Sequence, residues 1–374
     1  MDRPMIKQRI KRIRTDMSKA DMDTIIILSD ANRRYLSGYT GEDGIYDETA
    51  GLLVITQTDL ILAADPRYDT QAANEAALYR VVCYREKIEK DLCITLNSLN
   101  ASKVGIEFER LTHHMFMRIQ KEALDQGLDM EFVAADDILK DFRMEKDDQE
   151  IAAVKAALEI AETSFLQFRK KIVPGMTEKA AAWCLEKKMR YNGADTLSFP
   201  VIAASGENSA LPHAIPGNRQ FRSGEPLLFD FGVRLNGYCS DTTRTLVLGE
   251  PDTTFKEAYD ILFNAQDLAV RAIQPGISAD KIDKTARDYI DSTRFKGRFG
   301  HSLGHGVGIA IHEAPRLSTR DKTILNPGMV VTVEPGIYLP GWGGIRLENM
   351  VLVTDSGAEV LNTMGYDDYI LDNG

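Results

Sequence analysis

The sequence is poor in the residues that build disulfide frameworks, membrane spans and nucleic-acid surfaces. Only four cysteines occur in 374 residues, without CxxC spacing, so we expect reduced thiols in a cytoplasmic protein rather than disulfides or a thiolate zinc site. No apolar run approaches the roughly 18 residues of a transmembrane helix, which argues against a membrane partner. The net charge of −11 argues against a nucleic-acid partner held through its phosphates.

Several catalytic motifs are also missing. His312-Glu313 is followed by Ala314-Pro315, so there is no HExxH zinc motif, and the proline would break the helix that this motif needs. The glycines at 304, 306 and 308 do not match a dinucleotide fingerprint, and no GK[ST] phosphate loop occurs.

The apolar pattern predicts an α+β chain with two domains, 1–140 and 141–374. In the first domain, short apolar strands alternate with helical segments, as in an α/β domain. Residues 32–44 are polar and rich in glycine, and we expect a loop there. At the start of the chain, apolar residues recur at helical spacing and predict a surface helix packed on this domain. They are Ile6, Ile10, Ile13 and Met17.

The second domain shows a repeated pattern. A helix is followed by Pro174-Gly175 and by a second helix capped by Thr177. The same order recurs at Pro275-Gly276, with Ser278 as the cap. Predicted strands follow both helix pairs. The sequence therefore predicts a two-fold internal duplication around one site.

The most informative stretch, Pro226 to Leu248, contains two apolar runs on either side of Asn236-Gly237, which predicts a β-hairpin. A two-residue turn would place Gly232 opposite Asp241. Asp230, two residues before this glycine, would then lie on the same face as Asp241 and diagonally across from it. A loop with an odd number of residues, or a bulge, would separate the two acids.

Two carboxylates within apolar strands repel each other unless a cation or a proton joins them. The alternative is that both acids are solvated on an exposed face. The flanking residues favour a strand that is covered on both sides, so we expect further ligands elsewhere in the chain. These flanking residues are Leu227, Leu228, Phe229 and Phe231.

Further polar residues occur in similar surroundings near the C-terminus. His305 lies in a glycine-rich segment, and Glu334 ends an apolar strand. A strand predicted at 345–354 carries Arg346 and Glu348 on one face. The four acids and His305 form a candidate set of five ligands. Two divalent cations would balance four carboxylates. A site rich in oxygen ligands with one imidazole suits manganese, cobalt or iron, and it differs from a thiolate-type zinc site. Two metals can bridge a water, lower its pKa and present hydroxide to a carbonyl.

At these residues the chain resembles the pita-bread metallopeptidases, a family that includes methionine aminopeptidase, aminopeptidase P and Xaa-Pro dipeptidase. The blocks DFG…NGYCSDTTRT, GHGVG, VEPGIY and GGIRLEN occur in the family's order. The first 140 residues resemble the creatinase-type N-terminal domain. That domain, SFPVIAASGENSALPHA and HEAP indicate the proline-peptidase branch of the family.

The resemblance implies a role for each site residue. Asp241 and Glu348 would bridge two metals, manganese being the first expectation and cobalt, zinc or iron the others, and Glu334 would also accept the proton of the attacking water. His213, His301 and His312 match the family's outer histidines, which orient the substrate and stabilise the tetrahedral intermediate. The complete metal-ligand set implied in this way is Asp230, Asp241, His305, Glu334 and Glu348.

Each of the outer residues also has a structural alternative. A histidine can be a hydrogen-bonded structural residue, and Arg346 can form a salt bridge with Glu348 as well as contact substrate. Asn349 stands where the family commonly has Asp, a change that concerns metal tuning more than activity.

We therefore expect a cytoplasmic dimetal peptidase that cleaves an Xaa-Pro bond in dipeptides or short peptides. The resemblance also implies a homodimer in which one subunit's N-terminal domain shields the other's site. Two alternatives remain: a creatinase-like amidinohydrolase, and a non-catalytic binding module on the same fold.

Overall fold

The computed structural model describes residues 3–43, 49–85 and 87–372. The chain divides into two compact units, Met1–Phe142 and Arg143–Gly374. No helix in the described ranges has the length and apolarity needed to cross a membrane, and all four cysteines are free thiols.

The first unit is built on a six-stranded mixed sheet with the strand order β4-β3-β2-β1-β5-β6. Strand β2 runs antiparallel to β1 and β3, whereas β4, β5 and β6 each pair in parallel with a neighbour. Its elements are α1 (Arg3–Lys19), β1 (Thr24–Ile27), α2 (Asp30–Ser37), β2 (Gly51–Thr56), β3 (Leu60–Ala64), α3 (Asp69–Glu75), β4 (Arg80–Cys83), α4 (Ile88–Ser98), β5 (Lys103–Ile106), α5 (His113–Asp125), β6 (Glu131–Ala134) and α6 (Asp136–Phe142).

The predicted N-terminal surface helix is confirmed as α1, because its four apolar residues at helical spacing are all buried. The expected loop at 32–44 is wrong in its first part, since α2 extends to Ser37. The Ser29 side chain caps this helix, and Asn32 donates a hydrogen bond to Glu107 Oε1 at 2.7 Å. This contact is distant in sequence, so local polarity did not reveal it. Gly44, the last residue of the predicted loop, lies outside the described residues.

The second unit contains two helix pairs, each followed by strands, as the repeated sequence pattern predicts. The first half comprises α7 (Asp148–Arg169), α8 (Glu178–Tyr191), β7 (Thr196–Leu197), β8 (Ile202–Ser205), β9 (Pro226–Phe231), β10 (Val233–Leu235), β11 (Tyr238–Cys239) and β12 (Thr242–Leu248). The second half comprises α9 (Thr253–Ala272), α10 (Ala279–Asp291), β13 (Gly304–Gly306), β14 (Glu313–Leu317), β15 (Val330–Val333), β16 (Gly336–Leu339), β17 (Gly343–Arg346), β18 (Asn349–Thr354), β19 (Gly357–Val360) and β20 (Ile370–Leu371).

Each helix pair covers the apolar face of one sheet. Helices α7 and α8 pack on the sheet β20-β12-β9-β8, where Phe165 stacks on Phe231 with ring centroids 4.6 Å apart. Helices α9 and α10 pack on the sheet β14-β13-β15-β18-β19. Because Phe229 and Phe231 belong to the helix-facing core, Asp230 between them points to the opposite face of β9.

The two Pro-Gly junctions end their helices in the expected way, but their caps differ. Thr177 accepts a hydrogen bond from the Ala180 backbone N–H. Ser278 occupies the N-cap position of α10 without such a bond, because its hydroxyl donates to Asp280 Oδ1 at 2.6 Å. The acid two residues later therefore competes for the capping group.

Candidate metal centre

The predicted hairpin is confirmed, including its register. Leu235 pairs with Tyr238, and Asn236 and Gly237 have φ values of 51° and 89°, as a two-residue turn of type I′ requires. The same register continues through β9 and β12, where Phe231 pairs with Thr242.

Gly232 therefore lies opposite Asp241, at the point where both arms of the hairpin are interrupted. A Cβ atom on this glycine would lie 2.0 Å from the Ser240 carbonyl oxygen. The arms thus approach too closely there for any side chain. Asp230 pairs with Thr243, so Asp230 and Asp241 occupy the diagonal positions on one face that the sequence predicts.

Three carboxylates meet on this face. Asp230, Asp241 and Glu348 each offer one oxygen, and these oxygens all lie within 4.8 Å of one another. Asp241 is 5% exposed and Glu348 2% exposed. Thr243 Oγ1 donates to Glu348 Oε2 at 2.7 Å, which helps to fix the third carboxylate.

His305 and Glu334 complete the cluster. His305 Nε2 lies 3.5 Å from Asp241 Oδ2 and 3.5 Å from Glu334 Oε1. The opposite ring nitrogen, Nδ1, lies 3.0 Å from the Gly306 carbonyl oxygen, so a proton on Nδ1 leaves the Nε2 lone pair facing the carboxylates. Burial lowers the pKa of His305 to about 4, which favours the neutral imidazole that metals bind.

Without a cation between them, the carboxylates of the cluster repel one another when they are ionised. Burial raises the pKa of Asp241 and Glu348 well above their ordinary values, and repulsion among the carboxylates adds to this shift. Burial also raises the pKa of Glu334 to about 7. Acids buried so close together need protons or metal ions to neutralise them.

Arg346 is held at the edge of the cluster. Its Nη2 lies 2.6 Å from Asp230 Oδ2, and its Nε donates to Thr243 Oγ1 at 3.0 Å. The alternative that Arg346 forms a salt bridge with Glu348 is therefore wrong, because its salt-bridge partner is Asp230. Burial raises the pKa of Asp230, and the Arg346 guanidinium opposes that shift.

The prediction of one strand over 345–354 is also wrong. Arg346 pairs with Gly336 in the hairpin of β16 and β17, whereas Asn349 pairs with Val333 across β15 and β18. The chain leaves one sheet and enters another between these two residues. Glu348 lies in this short connection, and its backbone N–H donates to the Thr243 carbonyl oxygen at 3.2 Å.

The donor set fits divalent metal ions. Asp230 Oδ1 is buried and accepts no hydrogen bond from the described residues, and the proton of the nearby Thr243 hydroxyl is already directed to Glu348. A buried carboxylate oxygen without a partner is costly, and a cation would satisfy it. Four carboxylates and one imidazole make a hard, mostly oxygen donor set.

The three outer histidines have different surroundings. His301 Nδ1 lies 2.8 Å from the Ser302 carbonyl oxygen and its Nε2 lies 2.9 Å from the Tyr338 hydroxyl. The His312 ring packs edge-on against His305, with ring centroids 4.4 Å apart. His213 is exposed in a turn directly after Pro212, whose carbonyl oxygen accepts a hydrogen bond from Arg346 Nη1 at 3.2 Å.

Sequence reasoning missed several side chains that hold the site in place. Tyr338 links His301 to Arg346, whose Nη1 donates to the Tyr338 hydroxyl at 3.0 Å. Arg244 Nη2 donates to Asn349 Oδ1 at 3.1 Å, and its Nη1 donates to the Glu348 carbonyl oxygen. The alternation of DTTRT, which begins one residue before β12, places Thr243 and Asp241 on one face, and this pattern could have identified the threonine.

This geometry defines a buried, carboxylate-rich cluster suited to metal ions within a duplicated helix-and-sheet unit. The metallopeptidase family M24 model matches residues 152–355, and the creatinase/prolidase N-terminal domain model matches residues 9–145. The chain therefore belongs to metallopeptidase family M24. The predicted creatinase-type N-terminal and pita-bread domains and the prediction of a metallopeptidase are thereby confirmed.

Similar proteins align over almost their whole length. The chain is 35% identical over 356 residues to an Xaa-Pro dipeptidase of Pyrococcus furiosus, covering 95% of this chain and 98% of that protein. A solved Xaa-Pro dipeptidase from Bacillus anthracis is 37% identical, with a TM-score of 0.91 and coverage of 98% and 100%. A solved X-Pro aminopeptidase from Thermotoga maritima MSB8 is 35% identical, with a TM-score of 0.88 and coverage of 97% and 99%.

Proposed function

We propose that this protein hydrolyses the Xaa-Pro bond of dipeptides or short peptides. The observation that carries the proposal is the meeting of Asp230, Asp241 and Glu348 at one buried point, with His305 Nε2 3.5 Å from Asp241 and from Glu334. The near full-length similarity to Xaa-Pro dipeptidases supports the choice of bond. Within the part of the chain that the structure describes, no contact favours the amidinohydrolase or binding-module alternatives.

Two divalent cations would be held by these five residues. When bound, the cations supply Lewis acidity and lower the pKa of a bound water. The oxygen-rich donor set favours manganese, with cobalt, zinc and iron as alternatives.

The protein's own side chains would move protons and orient the substrate. Glu334, whose Oε1 lies 3.5 Å from His305 Nε2 within the cluster, would accept the proton of the attacking water. His312 lies beside His305 and would donate a hydrogen bond to the carbonyl oxygen as negative charge develops there. His213 would orient the substrate from its exposed turn.

Arg346 and His301 have positioning roles in this proposal. Arg346 holds Asp230 at 2.6 Å and the Pro212 carbonyl oxygen at 3.2 Å, so it would connect a metal ligand to the turn that carries His213. His301 would act through the Tyr338 hydroxyl. Because a prolyl amide lacks an N–H, recognition must rely on shape and on contacts with the rest of the substrate.

We further propose a cytoplasmic homodimer that has a creatinase-like N-terminal domain at 1–140 and a catalytic domain at 141–374. The four free thiols are compatible with a reducing compartment. Sedimentation of the purified protein would test the dimer.

The direct test of function is hydrolysis of an Ala-Pro dipeptide and an Ala-Pro-Ala tripeptide by metal-stripped protein, with manganese, cobalt or zinc added back. We expect metal-restored cleavage of at least one substrate, and the ratio of the two rates distinguishes a dipeptidase from an aminopeptidase. If neither peptide is cleaved while two metals are bound, the proposed bond specificity is wrong.

A further inference from the structure

Glu313, the residue after His312, lies in a buried charge cluster that the proposed chemistry does not use. Arg143 Nε lies 3.1 Å from Glu313 Oε1, and Lys146 Nζ lies 3.1 Å from Oε2. The side chains of Lys146 and Glu313 are only 1% and 2% exposed. Three charged groups are thus packed together in the interior of the second unit.

Burying charges is costly unless each is closely paired, and the pairing of Glu313 is extensive. Burial by itself raises the pKa of Glu313, but Arg143, Lys146 and the hydrogen bond from Ala310 together hold it below its ordinary value. The carboxylate is therefore ionised at neutral pH. Such a cluster is poor support for stability alone, which suggests a positional role.

The Glu313 carboxylate is hydrogen-bonded to the backbone of the loop at residues 308–313, which contains His312. The Ala310 backbone N–H donates to Glu313 Oε1 at 3.0 Å, and the Gly308 N–H donates to the Ala310 carbonyl oxygen at 3.1 Å. A Cβ atom on Gly308 would lie 2.6 Å from Glu313 Oε2, so this glycine leaves room for the carboxylate. The Cys239 N–H, two residues before Asp241, donates to the Gly308 carbonyl oxygen at 2.8 Å.

The other side of the cluster is fixed to the strands around the site. The Lys146 backbone N–H donates to the Gly328 carbonyl oxygen at 2.9 Å, and Glu145 forms a bridge with Met329, directly before β15. On the loop side, Glu313 pairs with Gly306, the residue after His305. The charge cluster therefore connects the turn before β15 with the segment that follows His305.

The His312 ring depends on this backbone for its position. It packs against His305 at an interplanar angle of 75°, and among the described residues no hydrogen bond to either of its ring nitrogens is found. Its placement must therefore come mainly from the backbone between Gly308 and Glu313.

We propose that Glu313, clamped by Arg143 and Lys146, is a positioning residue that fixes His312 beside the metal centre. The inference rests on the proposed function, in which His312 contacts the substrate carbonyl. Glu313 itself touches neither substrate nor metal; it acts through the loop.

A double-mutant cycle tests this proposal, since residues that act as a unit are not additive. The variants are Glu313→Gln, His312→Ala and the double variant. Glu225→Gln is the matched control, because Glu225 also forms a partly buried pair with an arginine, Arg219 Nη1 at 2.7 Å. The measurements are kcat/KM for Ala-Pro with saturating manganese, metal content and Tm.

We expect kcat/KM to fall about 10-fold in Glu313→Gln and about 100-fold in His312→Ala, with the double variant within about twofold of His312→Ala. Metal content should remain that of the wild type, and the control should stay within about twofold of wild-type activity. Losses that multiply in the double variant would overturn the proposal.

Amide hydrogen exchange at residues 308–313 gives a second measurement that does not require activity. Glu313→Gln should speed exchange at Ala310 about 10-fold or more, and Glu225→Gln should leave it unchanged. Unchanged exchange in Glu313→Gln would also overturn the proposal that Glu313 positions His312.

If Glu313→Gln fails to fold, Lys146→Met, which keeps the Arg143 pair, should show the same faster exchange. A wild type that cleaves no Xaa-Pro peptide would contradict the proposed function, while the exchange result would still decide the clamp.

Discussion

Arg346 Nη2 lies 2.6 Å from Asp230 Oδ2, so the guanidinium is paired with one oxygen of a proposed metal ligand. The other oxygen of Asp230 is buried and has no hydrogen-bond partner among the described residues. The arginine therefore orients the carboxylate and leaves a single oxygen directed to a cation. It also reduces the repulsion among the four acids when no metal is bound.

Replacing Arg346 should destabilise the metal-free protein more than the manganese-bound protein. We expect Arg346→Gln to lower the unfolding free energy by about 3 kcal/mol, since a buried pair loses one partner. Bound manganese should restore part of this loss because it neutralises the same acids. Urea unfolding with and without manganese measures both effects.

Arg346→Lys is the matched control for charge. It should recover part of the stability but not the activity, because lysine cannot reach Asp230, Thr243 and the Pro212 carbonyl oxygen together. Equal loss of stability in the lysine and glutamine variants would show that the charge of Arg346 is unimportant.

The metal-free protein should lose stability as the pH rises through the titration of Glu334. Its pKa in the folded protein is raised from 4.5 to about 7, so its contribution to stability is complete below about pH 4.5 and is lost as the pH approaches and passes 7. We expect this loss to be about 1–3 kcal/mol between roughly pH 5 and pH 8.

Glu334→Gln isolates this effect from the other titrating groups. The unfolding free energies of the metal-free wild type and of this variant should be similar at low pH, where Glu334 is protonated. They should diverge at high pH as only the wild type loses stability there, and manganese should remove the wild-type trend. Parallel pH profiles for the two metal-free proteins would argue against a proton held by Glu334.

Gly232→Ala should disturb the metal centre through the backbone. The added methyl group would meet the Ser240 carbonyl oxygen at 2.0 Å, so the arms of the hairpin must separate and move Asp230 relative to Asp241. We expect a loss of about 2 kcal/mol or more in stability and weaker metal binding. Gly365→Ala, where a Cβ atom meets nothing within 4 Å, should change neither; similar Tm values for the two variants would contradict the account.

Asn349→Asp tests the one departure from the family pattern noted in the sequence. Asn349 Oδ1 accepts a hydrogen bond from Arg244 Nη2 at 3.1 Å, and a carboxylate there would strengthen that contact. We expect an altered manganese concentration dependence, with kcat at saturating metal within about threefold of wild type. A larger change in kcat would show that Asn349 affects the chemistry itself.

Local sequence signals predicted the parts of the site that depend on short-range geometry. Asn236-Gly237 fixes the hairpin turn, and alternation along the strands then places Asp230 and Asp241 on one face. The partner of Arg346 could not be predicted in this way, because Asp230 lies 116 positions away in the sequence. The change of sheet between Arg346 and Asn349 was missed for the same reason, since it depends on which distant strands each residue pairs with.

The pairing of Glu313 with Arg143 and Lys146 could not be predicted from the sequence either. HEAP contributed to the family resemblance, but Arg143 and Lys146 lie 170 and 167 positions away from Glu313. Long-range pairing of buried charges leaves no periodic pattern in the sequence.

In the proposed function, two divalent cations make Xaa-Pro hydrolysis possible, and they are held by Asp230, Asp241, His305, Glu334 and Glu348. The most direct measurement is metal content and Ala-Pro hydrolysis on the same samples of wild type and Asp241→Asn, stripped of metal and reloaded with manganese. We predict two manganese ions and restored cleavage in the wild type, with fewer ions and at least about a 100-fold lower rate in a folded Asp241→Asn variant. Cleavage by Asp241→Asn at the wild-type rate would contradict the account.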